Sequence, residues 1–289
     1  MKGLLPDERT VRHLRCPLCQ SGMTVQLPTN GQGSIRLLCM GERPHSYDFS
    51  SSGHVNLLSA AQSGGGDSKQ AVRARSAFLN LELYRPVADA LCDTLCRYLP
   101  DKDALVIDAG CGEGYYTARI AAHGFSVAGA DLSKFAVEAA AKRAARQGIP
   151  NGLFAAASVF SLPFADASAD AVVNVFAPCA ETEFFRVLRQ DGVLVVVYAG
   201  REHLMGLKRA LYDTTKENDG RADLPLSLPL VEERQIRYDI TVQGRENLQN
   251  LFAMTPYYWR TSPADSEKLT QLDTLTTPVD MTVAVYRKS

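Results

Sequence analysis

The sequence predicts an α/β protein: a Rossmann-like, mostly parallel sheet with helices on both faces, preceded by a small module of different character. Three observations carry this. Short apolar strands alternate with helices through most of the chain after residue 100. A glycine-rich turn, Gly110-Cys111-Gly112-Glu113-Gly114, closes the first of those strands. Ahead of them, residues 14–60 are rich in Cys, Gly, Ser and Pro and lack that alternation.

Taken in order, Ser34–Leu38 reads as a small strand within the first block, and Ser63-Gly64-Gly65-Gly66-Asp67-Ser68 as a flexible linker. From about Lys69 the pattern is helical. Ala104–Asp108 is a short apolar strand, followed by a helix over Tyr115–His123, a strand over Ser126–Ala130 and an alanine-rich helix over Lys134–Gln147. Leu153–Ala157, Ala171–Phe176 and Val193–Tyr198 supply further strands, with Glu181–Leu188 helical before the last. Apolar strands separated by helices of this length form a parallel sheet buried on both sides. Met281–Tyr286 reads as a closing strand, while residues 201–278 are too irregular to assign a topology. The chain thus divides into a module over 1–60, a linker over 61–74 and an α/β domain over 75–289.

Composition sets the class. Hydrophobic residues make up 46% and charged residues 22%, enough apolar surface for a full core. No apolar run approaches the roughly 20 residues of a membrane helix, and the first residues show no secretory signal, so a cytoplasmic location is expected. The net charge of −1 excludes a protein that coats nucleic acid nonspecifically. It is unevenly spread: residues 1–80 hold nine Lys/Arg against five Asp/Glu, a net of +4, leaving −5 for the rest. A locally basic arm on an acidic enzyme can contact phosphates without making the whole molecule adhesive.

Seven cysteines cannot all pair, and close spacing points to metal before disulfides. Cys16 and Cys19 have two residues between them, Cys39 follows after nineteen more, and His45 after another five. The first pair aims two thiolates at one point, and the second knuckle can complete the tetrahedron of S and N ligands that zinc prefers. A block this short has too little core to be stable alone, so metal ligation would supply folding free energy to a zinc-ribbon-like module. His13 and His54 are rival fourth ligands. A closed four-ligand site is structural, not catalytic.

The turn Asp108-Ala109-Gly110-Cys111-Gly112-Glu113-Gly114 lets the backbone bend sharply against a ligand with a helix N-terminus behind it. Glycines alone would equally suit a dinucleotide. The form D-x-G-x-G-x-G, with an acid before the first glycine, favours S-adenosylmethionine and a seven-stranded methyltransferase sheet. Asp131, ending the next strand, is placed to accept both ribose hydroxyls. After the fourth strand, Phe176-Ala177-Pro178 borders the position of a transferred methyl group and can shape a flat slot for a base. Cys111 and Cys179 read as bystanders, because cysteine attack is needed at an electron-poor pyrimidine carbon and not at a ring nitrogen. Cys92 and Cys96 read as core. Tyr257, Tyr258 and Trp259 form an aromatic cluster, some of it packing and some able to stack on a base.

Further stretches stand out: Cys16-Pro17-Leu18-Cys19, His45-Ser46-Tyr47-Asp48, Gly53-His54-Val55-Asn56-Leu57-Leu58, Ala74-Arg75-Ser76-Ala77-Phe78-Leu79, Leu162-Pro163-Phe164, His203-Leu204-Met205 and Met254-Thr255-Pro256. Together with the glycine turn they make the chain resemble, over nearly its full length, the RlmA family of 23S rRNA (guanine-N1)-methyltransferases. The resemblance implies a zinc module that helps recognise an rRNA hairpin and a dimer that forms a cleft for it. It implies cofactor contacts from Tyr84, Gly112, Glu113 and His203, which join Asp108, Gly110, Gly114 and Asp131 from the reading above. The gap from Cys39 to His45 is longer than the three residues usual in the family. Two branches modify neighbouring guanines, one of them linked to macrolide resistance; Gly112–Tyr116 looks like one branch and Asn174–Pro178 like the other. Methyl transfer to N1 needs the nitrogen collinear with the sulfonium and stripped of its proton, in a loop or flipped-out base; no base is assigned from the sequence. The alternative is a small-metabolite methyltransferase with a structural zinc module. Another is an RNA-binding protein with a vestigial catalytic domain, against which Asp108, the three glycines and Asp131 argue.

Overall fold

The computed structural model describes residues 6–28, 33–59, 62, 65–149, 152–218 and 227–289. The expected linker residues Ser63 and Gly64 lie outside these, as do residues 1–5.

The chain opens with a short helix, α1 (Glu8–Val11), capped by Asp7, whose side chain accepts the Arg9 N–H. Three short strands follow, β1 (Met23–Gln26), β2 (Arg36–Cys39) and β3 (Ser46–Asp48), in one antiparallel sheet ordered β1-β2-β3. The next strand, β4 (His54–Asn56), leaves that sheet. It pairs in parallel with β7 (Gly152–Ala156) and becomes an edge of the main sheet.

The remainder runs α2 (Lys69–Leu79), α3 (Arg85–Tyr98), β5 (Leu105–Ala109), α4 (Tyr115–Ala122), β6 (Ser126–Asp131), α5 (Lys134–Arg146), then β7. It continues with β8 (Ala169–Val175), α6 (Glu181–Val187), β9 (Leu188–Ala199), α7 (Met205–Leu211), β10 (Leu230–Gln243), α8 (Arg245–Ala253), α9 (Pro263–Thr270) and β11 (Thr274–Arg287). The main sheet is ordered β10-β11-β9-β8-β5-β6-β7-β4, eight strands where seven were expected; β4 is the addition. Strands from β4 to β9 are mutually parallel, and β11 runs antiparallel between β9 and β10. Strand order reverses at β5, which has β6 on one side and β8 on the other. Ligands bind at the carboxyl ends of strands at such a point.

Alternation along β5 sends Val106 to one hydrophobic cluster and Ile107 to the other. The first cluster includes Leu91 and Leu95 of α3 and Leu248 and Leu251 of α8. The second holds Phe184 of α6 together with Leu14, Met23 and Leu37 of the N-terminal module. Each such side chain contributes roughly 1.5–3 kcal/mol on full burial, so the module is docked on the sheet. Backbone contacts reinforce this: Arg15 N–H donates to the Pro163 carbonyl at 2.9 Å and Ala165 N–H to the His13 carbonyl at 2.8 Å.

This differs from a module swinging on a linker over 61–74. Ser68 caps α2 by accepting the Ala71 N–H, so helix begins at Lys69. Ser133 donates its hydroxyl proton to the Asp67 carbonyl at 2.7 Å, which pins the segment just before it. The strand His54–Asn56 carries no local mark of which sheet it will join; edge pairing with β7 decides. Cys92 is buried in the core and Cys96 packs against it, as expected.

Candidate active site and metal centre

The turn between β5 and α4 places Gly110, Gly112 and Gly114 in left-handed backbone, but for different reasons. A Cβ on Gly110 would stand 2.3 Å from the Ala177 Cβ, and one on Gly114 2.8 Å from that of Ala140. These two glycines allow close packing. A Cβ on Gly112 would meet only Arg75 Nη1, at 3.5 Å; this glycine faces open space. The space is a cavity of about 820 Å³, within the range of small-molecule sites. Of the residues expected to contact a cofactor, Tyr84, Asp108, Gly110, Gly112, Glu113, Asp131 and His203 line it, whereas Gly114 is set back against α5.

Three acids crowd the near wall, Asp108 and Glu113 buried and Asp131 half-buried. Asp131 Oδ2 accepts the Gly112 N–H at 3.0 Å and Oδ1 the Ser133 N–H at 2.8 Å. Burial raises its pKa against the pull of those two donors. Asp108 is deeper and accepts from the Thr117 hydroxyl; burial pushes its carboxyl up to about 7. Glu113 is also raised by burial, with Arg75 opposing from 3.6 Å.

The far wall comes from the loops after β8 and β9 and the segment after α8. His203 is buried, and burial lowers its pKa to about 4, so the ring is neutral at ordinary pH. The Asp280 N–H points at its Nδ1 from 3.4 Å, which assigns the ring proton to Nε2, 3.5 Å from the Tyr84 hydroxyl. Phe176, in left-handed backbone at φ +51°, stacks on the same ring with centroids 5.8 Å apart. Asn218 ties this wall together: its amide donates to the His203 carbonyl at 2.8 Å, and its oxygen accepts from Lys208 and from the Tyr257 hydroxyl. Tyr257 and Tyr258 pack against the core, while Trp259 is 74% exposed at the cavity mouth, with Phe160 at 65% and Phe176 at 50%. Cys111 is buried, and burial holds its thiol protonated; it offers no thiolate for covalent catalysis.

Sequence reasoning missed Arg75, Tyr116 and Asn218 as parts of this wall. Arg75 sits inside a stretch noticed for its resemblance, but nothing local says that α2 turns it toward the cavity. Tyr116 Oη and Arg75 Nε are buried without a hydrogen-bond partner. Both residues line the cavity, and donors left unpaired beside it fit a ligand with acceptors, while the acids fit one carrying positive charge and hydroxyl donors. The residues therefore suit S-adenosylmethionine.

In the module, the ligand atoms of Cys16, Cys19, Cys39 and His45 all lie within 4.8 Å of one another. Cys19 and Cys39 Sγ are 3.2 Å apart, and Cys16 Sγ and His45 Nδ1 3.5 Å. A tetrahedral zinc with Zn–S near 2.3 Å sets sulfurs about 3.8 Å apart, so small shifts admit the ion and the set fits a structural zinc. The Ser21 N–H lowers the Cys19 thiol to about 6, favouring the thiolate ligand. His13 and His54 are engaged elsewhere, with Arg12 and with Ser50, so His45 completes the cluster.

An α/β sheet with its switch point at β5, an acid-and-glycine turn there and an acidic residue at the end of the neighbouring strand together define an S-adenosylmethionine-dependent methyltransferase. Residues 100–253 match the family model described as "Methyltransferase domain". A 23S rRNA (guanine(748)-N1)-methyltransferase of Streptomyces fradiae is 32% identical over 89% of both chains. A protein of Micromonospora griseorubida, provisionally named as a 23S rRNA (guanine-N1)-methyltransferase, is 32% identical over 94% of this chain and 95% of its own length. A Bacillus subtilis protein with the same provisional naming is 28% identical over 95% and 96%. The chain belongs to the family of 23S rRNA (guanine-N1)-methyltransferases.

Proposed function

We propose that this protein transfers the methyl group of S-adenosylmethionine to N1 of a guanine in a 23S rRNA hairpin. The observation that carries this is the match of 94% and 89% of the chain to its relatives, more than the α/β domain alone could supply. A small-metabolite enzyme would need the cavity alone.

When bound, S-adenosylmethionine supplies an electrophilic methyl on a sulfonium. Asp131 would hold the ribose hydroxyls, and Gly112 would let the cofactor approach the backbone. Gly110 and Gly114 support that turn through packing, and Asp108 anchors it from below. Glu113, Tyr84 and His203 would close around the remainder. His203 is held as a neutral hydrogen-bonding group and is unsuited to accept the N1 proton. The aromatic mouth, Phe160, Phe176 and Trp259, would take a base withdrawn from its stack. Zinc would hold the module's knuckles together, and the docked module would present Arg12, Arg15 and Arg36 to phosphates. Their hydrogen bonds in the structure go to neutral groups, which leaves their charge available. Assembly as a dimer remains part of the proposal, carried by the family resemblance. Among the described residues no helix is long and apolar enough to cross a membrane.

The test is methyl transfer to naked 23S rRNA against a panel of small acceptors, with the modified base located by reverse-transcriptase stops, because N1 methylation blocks Watson–Crick pairing. A stop at one hairpin guanine is expected. Methylation of a small acceptor with none of the RNA would overturn the reading.

A further inference from the structure

S-adenosylmethionine carries an ammonium, a sulfonium and one carboxylate. The cavity described above is rich in partners for the first two and poor in partners for the third. Among the described residues that line it, Asp67, Asp108, Glu113 and Asp131 are acids, and Arg75 is the one cation. We propose that the Arg75 guanidinium, helped by the Tyr116 hydroxyl, receives the α-carboxylate of the cofactor's amino-acid part. The inference rests on the reading that this cavity takes S-adenosylmethionine.

The geometry leaves Arg75 poised for this. Its Nη2 is held by Asp67, immediately before the Ser68 cap of α2, which fixes the side chain across the cavity edge. Its Nε is buried with no hydrogen-bond partner, since Glu113 Oε2 at 3.6 Å is close enough for charge but not for a bond. Its Nη1 stands over Gly112, the one glycine of the turn whose missing side chain opens onto the cavity. A guanidinium has five donors in a rigid fork matched to a carboxylate, and here one edge is committed while others are idle. Tyr116 reaches the same cavity from the first turn of α4, and its buried hydroxyl is likewise without a partner. Arg75 and Tyr116 line the acidic cavity from separate helices, each with a donor left unpaired beside it, and this points to an anionic group that belongs between them.

The prediction separates the amino-acid part of the ligand from its nucleoside. S-adenosylhomocysteine carries the carboxylate; 5′-methylthioadenosine keeps the nucleoside and sulfur but lacks the amino-acid part. Calorimetric affinities would be measured for both ligands with the full-length wild type, Arg75→Ala, Arg75→Lys and Tyr116→Phe. Arg75→Ala is expected to weaken S-adenosylhomocysteine roughly ten- to a hundredfold, the usual effect of losing a charged hydrogen bond, and to leave 5′-methylthioadenosine within about twofold. Arg75→Lys, which keeps the charge but not the fork, should fall between, and Tyr116→Phe should weaken S-adenosylhomocysteine alone by a few fold. Equal losses for both ligands would show Arg75 to be only a prop of the cavity wall, and unchanged S-adenosylhomocysteine affinity would place the carboxylate elsewhere; either overturns the proposal. Binding of 5′-methylthioadenosine also reports that each variant is folded. A wild type that bound neither ligand would instead overturn the cofactor reading itself.

Discussion

Asp131 braces the Gly112 backbone with the same carboxylate that faces the cavity: Oδ2 accepts the Gly112 N–H at 3.0 Å, and the other oxygen takes the Ser133 N–H at 2.8 Å. The residue proposed to hold the ribose and the glycine turn are thus one unit. Asp131→Ala is expected to reduce S-adenosylmethionine affinity by roughly ten- to a hundredfold. Asp131→Asn should not restore it, because the amide must set its NH2 against one of two N–H donors. Calorimetry showing wild-type affinity for either variant would remove Asp131 from the site.

Asp108 gives a pH dependence with a definite sign. Its folded carboxyl titrates near 7, whereas its ordinary value is 3.8. Between those values the folded state holds a proton that the unfolded chain has lost. Its contribution to stability is therefore complete below about pH 4 and is lost as pH rises through about 7. Asp108→Asn, which keeps the shape without the charge, should raise the Tm of cofactor-free protein more at pH 8.5 than at pH 5. At the higher pH the gain should be on the order of a few kcal/mol. Melting curves with equal gains at both pH values would contradict the assignment.

One zinc per chain is expected by metal analysis. Because Leu14, Met23 and Leu37 share a hydrophobic cluster with the main sheet, removal of the metal should not melt the module in isolation. Chelation or Cys16→Ser is expected to lower the Tm of the whole chain. Calorimetry resolving a separate low transition, with the main one unmoved, would show that the docking is energetically weak.

Trp259 and Phe176 offer exposed rings at the cavity mouth. Trp259→Ala is expected to raise KM for the rRNA hairpin by a factor that corresponds to about 1–3 kcal/mol of stacking, with S-adenosylmethionine affinity nearly unchanged. If kinetics show the RNA KM unmoved, the base sits elsewhere.

The module's arginines should matter through phosphates. Arg12→Ala, Arg15→Ala or Arg36→Ala, each alone, is expected to weaken RNA binding and to flatten its salt dependence by about one unit of slope per lost contact. Deletion of residues 1–60 is not a clean alternative, because it removes β4 from the main sheet. Unchanged slopes for all three variants would make the module a structural cover only.

Much of this protein was legible from local pattern. The central parallel strands β5 to β8 are mostly apolar, since both their faces are buried, and their ends were placed within two residues. By contrast, β9 begins at Leu188, five residues before the expected Val193, because the residues just after Leu188 are polar and exposed. The glycine turn and the acid ending β6 are set by backbone chemistry that works the same way wherever a strand meets a helix at a ligand. The four metal ligands are close in sequence, within two short knuckles. What was not legible had its cause at a distance. β10 was missed because most of its residues are exposed on an edge strand, although the alternation of Ile236, Tyr238, Ile240 and Val242 carried a faint period-two signal.

Local sequence determined the fold class, the glycine turn and the zinc ligands, because each depends on residues near one another in the chain and on their own conformational preferences. Only the tertiary structure decided that β4 joins the main sheet, that the module is docked and not tethered, and that Arg75 faces the acids of the cavity. Strand pairing, burial and charge opposition are relations between segments as distant as Asp67 and Ser133 or Asn218 and Tyr257. No local pattern records them, because their free energy appears only when the segments meet.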